Sequence, residues 1–320
     1  MVSIVIPVFN EEENVDLLCE SLQKESEKWK YPMEVIFVND ASTDKTRDRI
    51  IAQIEKGFPA TLIQFSRNFG HQAAISAGIQ NASGKAVVVM DGDLQDPPLV
   101  ITEFIKCWEQ GYDVVYGIRT KRKEGLLLRF SYALFYRILS LVGNIPIPKD
   151  SGDFCLMDRK LVDVMVKEMP EQIRFVRGLR AYAGFKQVGV PFERSERANN
   201  TSKYTGRKLI GLAADGIFGF STLPLRLASY LGLFVAAGSF LVGIFFIFHR
   251  LLDFKIFGYS PVDVPGMASL AVGLFFLFGI TLLILGIIGE YIGRIYLEVK
   301  KRPQYIIEEV INHNSGSIGS

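Results

Sequence analysis

Short apolar runs alternate with longer stretches of helical periodicity through the first 120 residues of this chain. Val2–Val8 reads as a buried strand, followed by a helix over 11–28. A strand over 34–39 ends at Asp40, with Ser42 and Asp44 opening the helix that follows. Further strands are predicted at 62–65, 86–90 and 113–116. Helices are predicted over 71–81 and 98–110, the second with Asp96 as its cap and Pro97-Pro98 in its first turn. Alternating strands and helices predict an α/β fold with a mostly parallel sheet and helices on both faces. Two later segments are amphipathic. In 126–142, Leu127, Phe130, Leu134, Ile138 and Leu141 keep helical spacing while Arg129 and Arg137 lie elsewhere around the helix. In 207–220, Leu209, Leu212, Ile217 and Phe220 align behind Arg207 and Lys208. The second is expected at a membrane interface; the first suits either an interface or a soluble core.

The pattern then changes. Residues 227–248 and 267–289 form runs of 22 and 23 residues without a charge. At about 1.5 Å per residue, each spans a hydrocarbon core roughly 30 Å thick. Pro261 and Pro265 lie between them, so the two runs predict a transmembrane hairpin with helices at about 227–249 and 267–290. Arg207, Lys208 and Arg226 precede the pair, and Arg294, Lys300, Lys301 and Arg302 follow it. The connecting loop holds only Arg250 and Lys255, balanced by Asp253 and Asp263. This bias predicts that the soluble domain and both termini are cytoplasmic, at the inner (plasma) membrane. Glu290 and Arg294, four apart, are placed to pair. The expected division is a soluble domain over 1–204, interfacial helices over 205–225, the hairpin over 226–296 and a cytosolic tail over 297–320.

Composition adds exclusions. The net charge is +2, so no nucleic-acid footprint is expected. Cys19, Cys107 and Cys155 are far apart and read as reduced thiols. Met1 to Val8 reads as a strand, not a signal peptide, because Glu11, Glu12 and Glu13 follow at once. The turn after the first strand, Pro7-Val8-Phe9-Asn10-Glu11, lacks the glycines of a dinucleotide-binding loop, and no Walker A loop is present.

Candidate chemistry gathers where strands end. Ligands of open α/β sheets bind beyond the carboxyl ends of strands. Asp91-Gly92-Asp93 follows the apolar run Ala86 to Met90, and two carboxylates there can hold a divalent ion against a diphosphate. Glu11 follows the first strand, Asp40 the second, and Arg67-Asn68-Phe69-Gly70 the third. Asp40 is placed to accept hydrogen bonds from a base or ribose. His71 reads as a helix-cap or core histidine.

The segments 3–12, 39–44, Arg67-Asn68-Phe69-Gly70-His71 and Asp91-Gly92-Asp93-Leu94-Gln95-Asp96-Pro97-Pro98 resemble the family 2 glycosyltransferases of GT-A fold. Together with Gly152-Asp153-Phe154, Phe175-Val176-Arg177-Gly178, Ser202-Lys203-Tyr204, Asp215-Gly216 and Pro224-Leu225-Arg226, they resemble the polyprenyl-phosphate members of that family. Asn39 stands where the family often has another acid, and Ala41 where glycine is usual.

The resemblance implies a GT-A (Rossmann-like) domain that holds a nucleotide-sugar through Pro7, Glu11, Asp40, Arg67 and Asp91. It implies a divalent metal, Mg²⁺ or Mn²⁺, at Asp93 with help from Asp91 and Gln95. Arg194, Arg197 and Lys203 resemble a mobile basic segment that contacts the diphosphate. Arg119, Arg129 and Ser131 are candidates for the phosphate of a polyprenyl acceptor, and Asp153 for a group near the sugar or acceptor. A phosphomonoester carries about −1.5 to −2 charge near pH 7 and needs no strong base. The implied reaction is inverting transfer of a hexose, with UDP-glucose the expected donor, undecaprenyl phosphate the expected acceptor and a homo-oligomer the expected assembly. GDP-mannose as donor, and a catalytically inactive nucleotide-sugar-binding scaffold, are the alternatives. A processive polysaccharide synthase is disfavoured, because Gln-x-x-Arg-Trp is absent and two helices cannot enclose a pore.

Overall fold

The structure, a computed structural model, describes residues 1–119, 151–169, 171, 175–193, 223–252 and 267–312. The chain divides into two compact units, Met1–Phe220 with Arg302–Ser320, and Ser221–Lys301.

The first unit is built on one eight-stranded mixed sheet. Its elements in chain order are β1 (Val2–Val8), α1 (Val15–Ser26), β2 (Met33–Asn39), α2 (Thr46–Glu55), β3 (Ala60–Phe65), α3 (His71–Asn81), β4 (Ala86–Val89), α4 (Leu99–Glu109), β5 (Val114–Arg119), β6 (Ser151–Asp158), α5 (Arg159–Lys167), α6 (Val176–Tyr182), β7 (Gln187–Phe192) and, after the second unit, β8 (Ile307–Asn312). The strand order is β7-β5-β6-β4-β1-β2-β3-β8. The pairs β1–β2, β1–β4, β2–β3 and β5–β7 are parallel. The strand β6 runs antiparallel to both β4 and β5, and β8 antiparallel to β3.

Central strands are buried on both faces, and so read as unbroken apolar runs; all seven residues of β1 are buried. Side chains alternate between two cores. Ile4, Ile6, Phe37, Leu62 and Val88 face Leu18, Leu22, Ile50 and Phe104 of α1, α2 and α4. Val5, Ile36, Ile63 and Val89 face Ala74, Ala77, Leu161 and Leu179 of α3, α5 and α6. Contact on the second face is close: a Cβ on Gly78 would lie 2.1 Å from Val5 Cγ1.

The predicted α3 matches residue for residue. Helix α1 begins at Val15, not residue 11, because Glu11 and Glu12 give their amides to Thr46 Oγ1 and Asp44 Oδ2. Helix α4 begins at Leu99 after Pro98. Asp96 is fully buried, and its Oδ2 accepts from the Asp91 amide at 3.5 Å; it braces the preceding turn. The sequence pattern predicted no strand over 151–158, 187–192 or 307–312.

The second unit contains α7 (Leu223–Leu252) and α8 (Met267–Lys300). Leu225–Val242 and Phe276–Lys300 are each long and apolar enough to cross a membrane. Their large side chains, Phe234, Phe240, Phe276 and Leu282 among them, are exposed. Arg294 grips Glu290 through Nε at 3.0 Å and Nη2 at 2.9 Å, the pairing expected from their spacing. The amphipathic segments 126–142 and 207–220 lie outside the described residues.

Candidate active site

Strand direction gathers the candidate residues on one edge of the sheet. The parallel strands β4, β1, β2 and β3 lie side by side in that order. The turns after them carry Asp91 and Asp93, Glu11, Asp40, and Arg67. Because β6 runs the other way, its start lies beside the end of β4. Cys155 pairs with Val89, which puts Asp153 level with the Asp91 turn. Ile118 pairs with Ser151, so Arg119 joins the same edge from β5. The strand β7 parallels β5 and finishes opposite Arg119 at Phe192.

Neighbouring turns are laced by hydrogen bonds between side chain and backbone. Asn10 Oδ1 accepts from the Thr43 amide at 2.8 Å, and the Asn10 amide donates to Ser42 Oγ at 2.9 Å. Glu12 Oε2 accepts from the Lys45 amide at 2.9 Å. Glu11 accepts from Asn14 Nδ2 at 2.6 Å. Asn39 is fully buried; its Nδ2 donates to Gln64 Oε1 at 2.8 Å and its Oδ1 accepts from the Ser42 amide at 3.1 Å. A buried amide that donates on one side and accepts on the other explains why asparagine suits this position.

Asp40 spends both carboxylate oxygens on its own protein. Oδ1 accepts from the Phe69 amide at 2.6 Å and Oδ2 from the Gly70 amide at 2.9 Å. The aspartate therefore clamps the β3–α3 turn as well as facing the edge. Burial pushes its carboxyl up, against the pull of those two amide bonds. Arg67 stacks over the Phe69 ring at 3.9 Å.

Backbone strain is concentrated on this rim. Asn10, Ala41 and Leu94 all have left-handed φ, at 55°, 57° and 59°. Such conformations disfavour residues with a Cβ and cluster at functional sites. At Ala41 a glycine would adopt this φ without steric cost. Gly92 has a different cause. A Cβ there would sit 2.9 Å from Val8 Cγ1 and 3.4 Å from the Pro7 carbonyl oxygen. Only glycine lets the Asp91–Asp93 turn close onto the end of β1.

Behind the turn lies a charged cluster. Arg177, from α6, forks Asp153, with Nε to Oδ1 at 2.7 Å and Nη2 to Oδ2 at 2.8 Å. His71 Nε2 lies 3.5 Å from Asp153 Oδ2 and 3.6 Å from Asp91 Oδ1. Burial raises the Asp153 carboxyl, but the Arg177 charge and the hydrogen bonds from Arg177 and His71 outweigh it and hold the group well below the ordinary carboxylate range. For His71, burial opposes the imidazolium, while Asp153 and Asp91 favour it more strongly, so its pKa is raised. Asp153 is thus held in its ionised form.

The two acids of the Asp91–Asp93 turn are partly exposed. Asp93 Oδ1 accepts from the Gln95 amide at 3.2 Å, which shapes the turn. Among the described residues no cluster of three His, Cys, Asp or Glu side chains could hold an ion alone. Two carboxylates on one turn do fit a Mg²⁺-type ion that takes its other ligands from substrate phosphates and water.

Pro7, Glu11, Asp40, Arg67, Asp91, Asp93, Gln95, Arg119 and Asp153 thus lie along one edge. Arg129, Ser131, Arg194, Arg197 and Lys203 lie outside the described residues. Sequence reasoning assigned His71 to a cap or core role and gave Arg177 none. The available signal was position: His71 opens a helix at a strand-end turn, and Arg177 lies in the quoted segment Phe175 to Gly178.

A family model described as "Glycosyl transferase family 2" matches residues 3–165, about half the chain. The chain is 42% identical over 309 residues to "Uncharacterized glycosyltransferase sll0501" of Synechocystis sp., covering 96% of this chain and 95% of the relative. It is 41% identical to the "SfII prophage-derived bactoprenol glucosyl transferase" of Shigella flexneri, covering 96% and 97%. To the "Prophage bactoprenol glucosyl transferase homolog" of Escherichia coli K12 it is 40% identical, covering 97% and 99%. The α/β sheet with its strand-end acids is therefore that of a glycosyltransferase. The chain belongs to glycosyl transferase family 2.

Proposed function

We propose that this protein moves one hexose, glucose from UDP-glucose, onto polyprenyl (undecaprenyl) phosphate, with inversion at the anomeric carbon. The reading is carried by Asp91, Asp93 and Asp153 meeting at one sheet edge, in a chain similar over nearly its whole length to proteins named for bactoprenol glucosyl transfer. Pro7, Glu11, Asp40, Arg67 and Asp91 hold the nucleotide-sugar, joined by Arg194, Arg197 and Lys203. Asp93, Asp91 and Gln95 hold a divalent ion, Mg²⁺ or Mn²⁺. That ion supplies neutralisation of the charge developing on the departing diphosphate.

The acceptor phosphate is already a nucleophile, so the chain's task is to orient it. Arg119, Arg129 and Ser131 receive it; arginine suits this because its planar fork pairs with phosphate oxygens. Asp153, kept ionised by Arg177 and His71, orients a hydroxyl of the sugar or acceptor. Attack in line with the leaving diphosphate inverts the anomeric carbon through an oxocarbenium-like state.

The apolar helices α7 and α8 anchor the enzyme as a hairpin in the plasma membrane, with the catalytic unit and both termini cytoplasmic. The finer division, 1–204, 205–225, 226–296 and 297–320, belongs to the same reading. A homo-oligomer is the assembly expected from the same reading, and Gly279, Gly286 and Gly293 lie on α8. They are seven apart, and a Cβ on any of them would meet nothing within 4 Å. Small residues allow close helix approach in a membrane.

The test is transfer of radiolabelled sugar by the purified protein into organic-soluble lipid, with undecaprenyl phosphate as acceptor. Label from UDP-glucose in the lipid phase is expected. Label only from GDP-mannose would replace the sugar, and binding of nucleotide-sugar without turnover would replace the enzyme by a scaffold.

A further inference from the structure

The strand β8 comes from residues that begin seven positions after the end of α8, yet it completes the sheet at the outer edge of β3. An uncovered β3 would present unpaired backbone groups, which folded proteins normally cover. This strand does more than cover them. Its pairing with β3 continues past the last β3 residue: Ile307 pairs with Phe65, and the Ser66 amide donates to the Ile306 carbonyl at 3.1 Å. Ser66 directly precedes Arg67, where the turn that faces the candidate site begins.

Tyr305 extends the attachment. Its ring stacks on Phe65 with centroids 5.0 Å apart and planes 13° apart. Its hydroxyl bonds Gln80 Oε1 of α3 at 2.5 Å. One side chain thus touches both elements that flank the Arg67–Gly70 turn. Phe65 in turn meets Phe69 edge-on at 5.7 Å. Phe69 is the residue whose amide Asp40 Oδ1 accepts and whose ring carries the Arg67 guanidinium. The aromatic line Tyr305–Phe65–Phe69 therefore runs from the C-terminal segment to two candidate donor-binding residues. Glu309 secures the strand from the other side through Arg47 Nη2 of α2 at 2.6 Å, and Gln304 Nε2 donates to the Glu171 carbonyl.

We propose that Tyr305, presented by the C-terminal strand, is a positioning residue of the donor site: it holds the Arg67–Gly70 turn in the conformation that receives the nucleotide diphosphate-sugar. The proposal rests on the reading of that edge as a donor site. It assigns the residues after the second apolar helix a role in donor affinity, which no strand-end motif announces. The aromatic line ends on Arg67 and Asp40, the donor side of the edge. The effect should therefore fall on the donor and spare the acceptor.

The experiment uses the full-length purified protein, titrated with UDP and assayed for transfer from UDP-glucose to undecaprenyl phosphate. Tyr305→Ala is expected to raise the Kd for UDP and the KM for donor about tenfold, one aromatic contact's worth. The kcat at saturating donor and the KM for lipid should stay within twofold. Tyr305→Phe, which keeps the stack and loses the Gln80 bond, should restore most of the affinity. If Tyr305→Ala does not fold, Glu309→Gln provides the second variant, since it loosens the strand without opening a core; a threefold or greater rise in donor KM is then expected. Donor constants unchanged in a folded variant, or a loss in kcat alone, would overturn the proposal. A wild-type protein that neither binds UDP nor transfers sugar would overturn the donor-site reading instead, so the two failures are told apart.

Discussion

In the β1–β4 half of the sheet, each candidate acid sits in the turn that follows its strand. Side chains of the adjacent turn satisfy the backbone there: Asn10 serves Thr43, Ser42 serves Asn10, and Asp40 serves Phe69 and Gly70. In the β5–β7 half, the key acid lies inside a reversed strand. Asp153 is held by charges from two helices, Arg177 on α6 and His71 on α3. The first half is a set of local solutions placed side by side. The second is one long-range solution, and its geometry depends on a buried ion pair. Turns held by amides tolerate the loss of a single bond; a buried acid does not tolerate the loss of its cation.

Four measurements sharpen or break this contrast. The largest effect is expected for Asp93→Asn, which should lower kcat for lipid-linked sugar about a hundred- to a thousandfold, the usual cost of one electrostatic group aimed at developing charge. Folding should be unaffected, because asparagine keeps the Oδ1 acceptor for the Gln95 amide. Near-normal turnover in that variant would remove the metal role of the turn.

Second comes Arg177→Met. Asp153 would be left buried without its fork, and such losses cost about 3–5 kcal/mol. Denaturant unfolding should show a lowered midpoint, with a smaller shift in the double variant Arg177→Met/Asp153→Asn. Equal midpoints for wild type and Arg177→Met would mean that the second half is as locally supported as the first.

The third measurement uses pH. The folded pKa of His71 lies above its ordinary value of about 6.5, so its stabilising share is complete below that pH and is lost as pH rises through the folded value. The folded pKa of Asp153 lies below the ordinary value of about 3.9, so its share is present above that pH and is lost as pH falls toward the folded value. The cluster should be strongest between about pH 4 and pH 6.5. Thermal unfolding of wild type should weaken from pH 6 to pH 8.5 relative to His71→Asn. Parallel curves for the two proteins would exclude the His71–Asp153 contact as a source of stability.

The smallest effect belongs to the local half. Ala41→Gly relieves a left-handed backbone and should stabilise the protein by about 1 kcal/mol. A destabilised Ala41→Gly protein would show that the strain in that turn is compensated by the alanine methyl.

Much of the fold was legible in the chain. The four parallel strands, α3 and the two apolar helices follow from periodicity, because burial on one or both faces imposes a pattern on every element that experiences it. The strand-end acids were legible for the same reason: once a strand is recognised, its carboxyl end is known. Helix starts were less so. The turn at residues 11–14 gives its backbone to Thr46 and Asp44, bonds that no local pattern reports.

By itself, then, the order of residues determined the first five strands, where the Asp91-Gly92-Asp93 turn lies and which two segments carry long uncharged runs. Tertiary structure alone decided that β6 runs backwards and brings Asp153 to Asp91. It also decided that His71 and Arg177 charge that meeting point, and that residues 307–312 return to the edge of β3. The reason is physical. Alternation of apolar and polar residues records that a segment is buried, while strand direction, pairing partner and the neighbours of a buried charge are set by contacts between residues far apart in the chain.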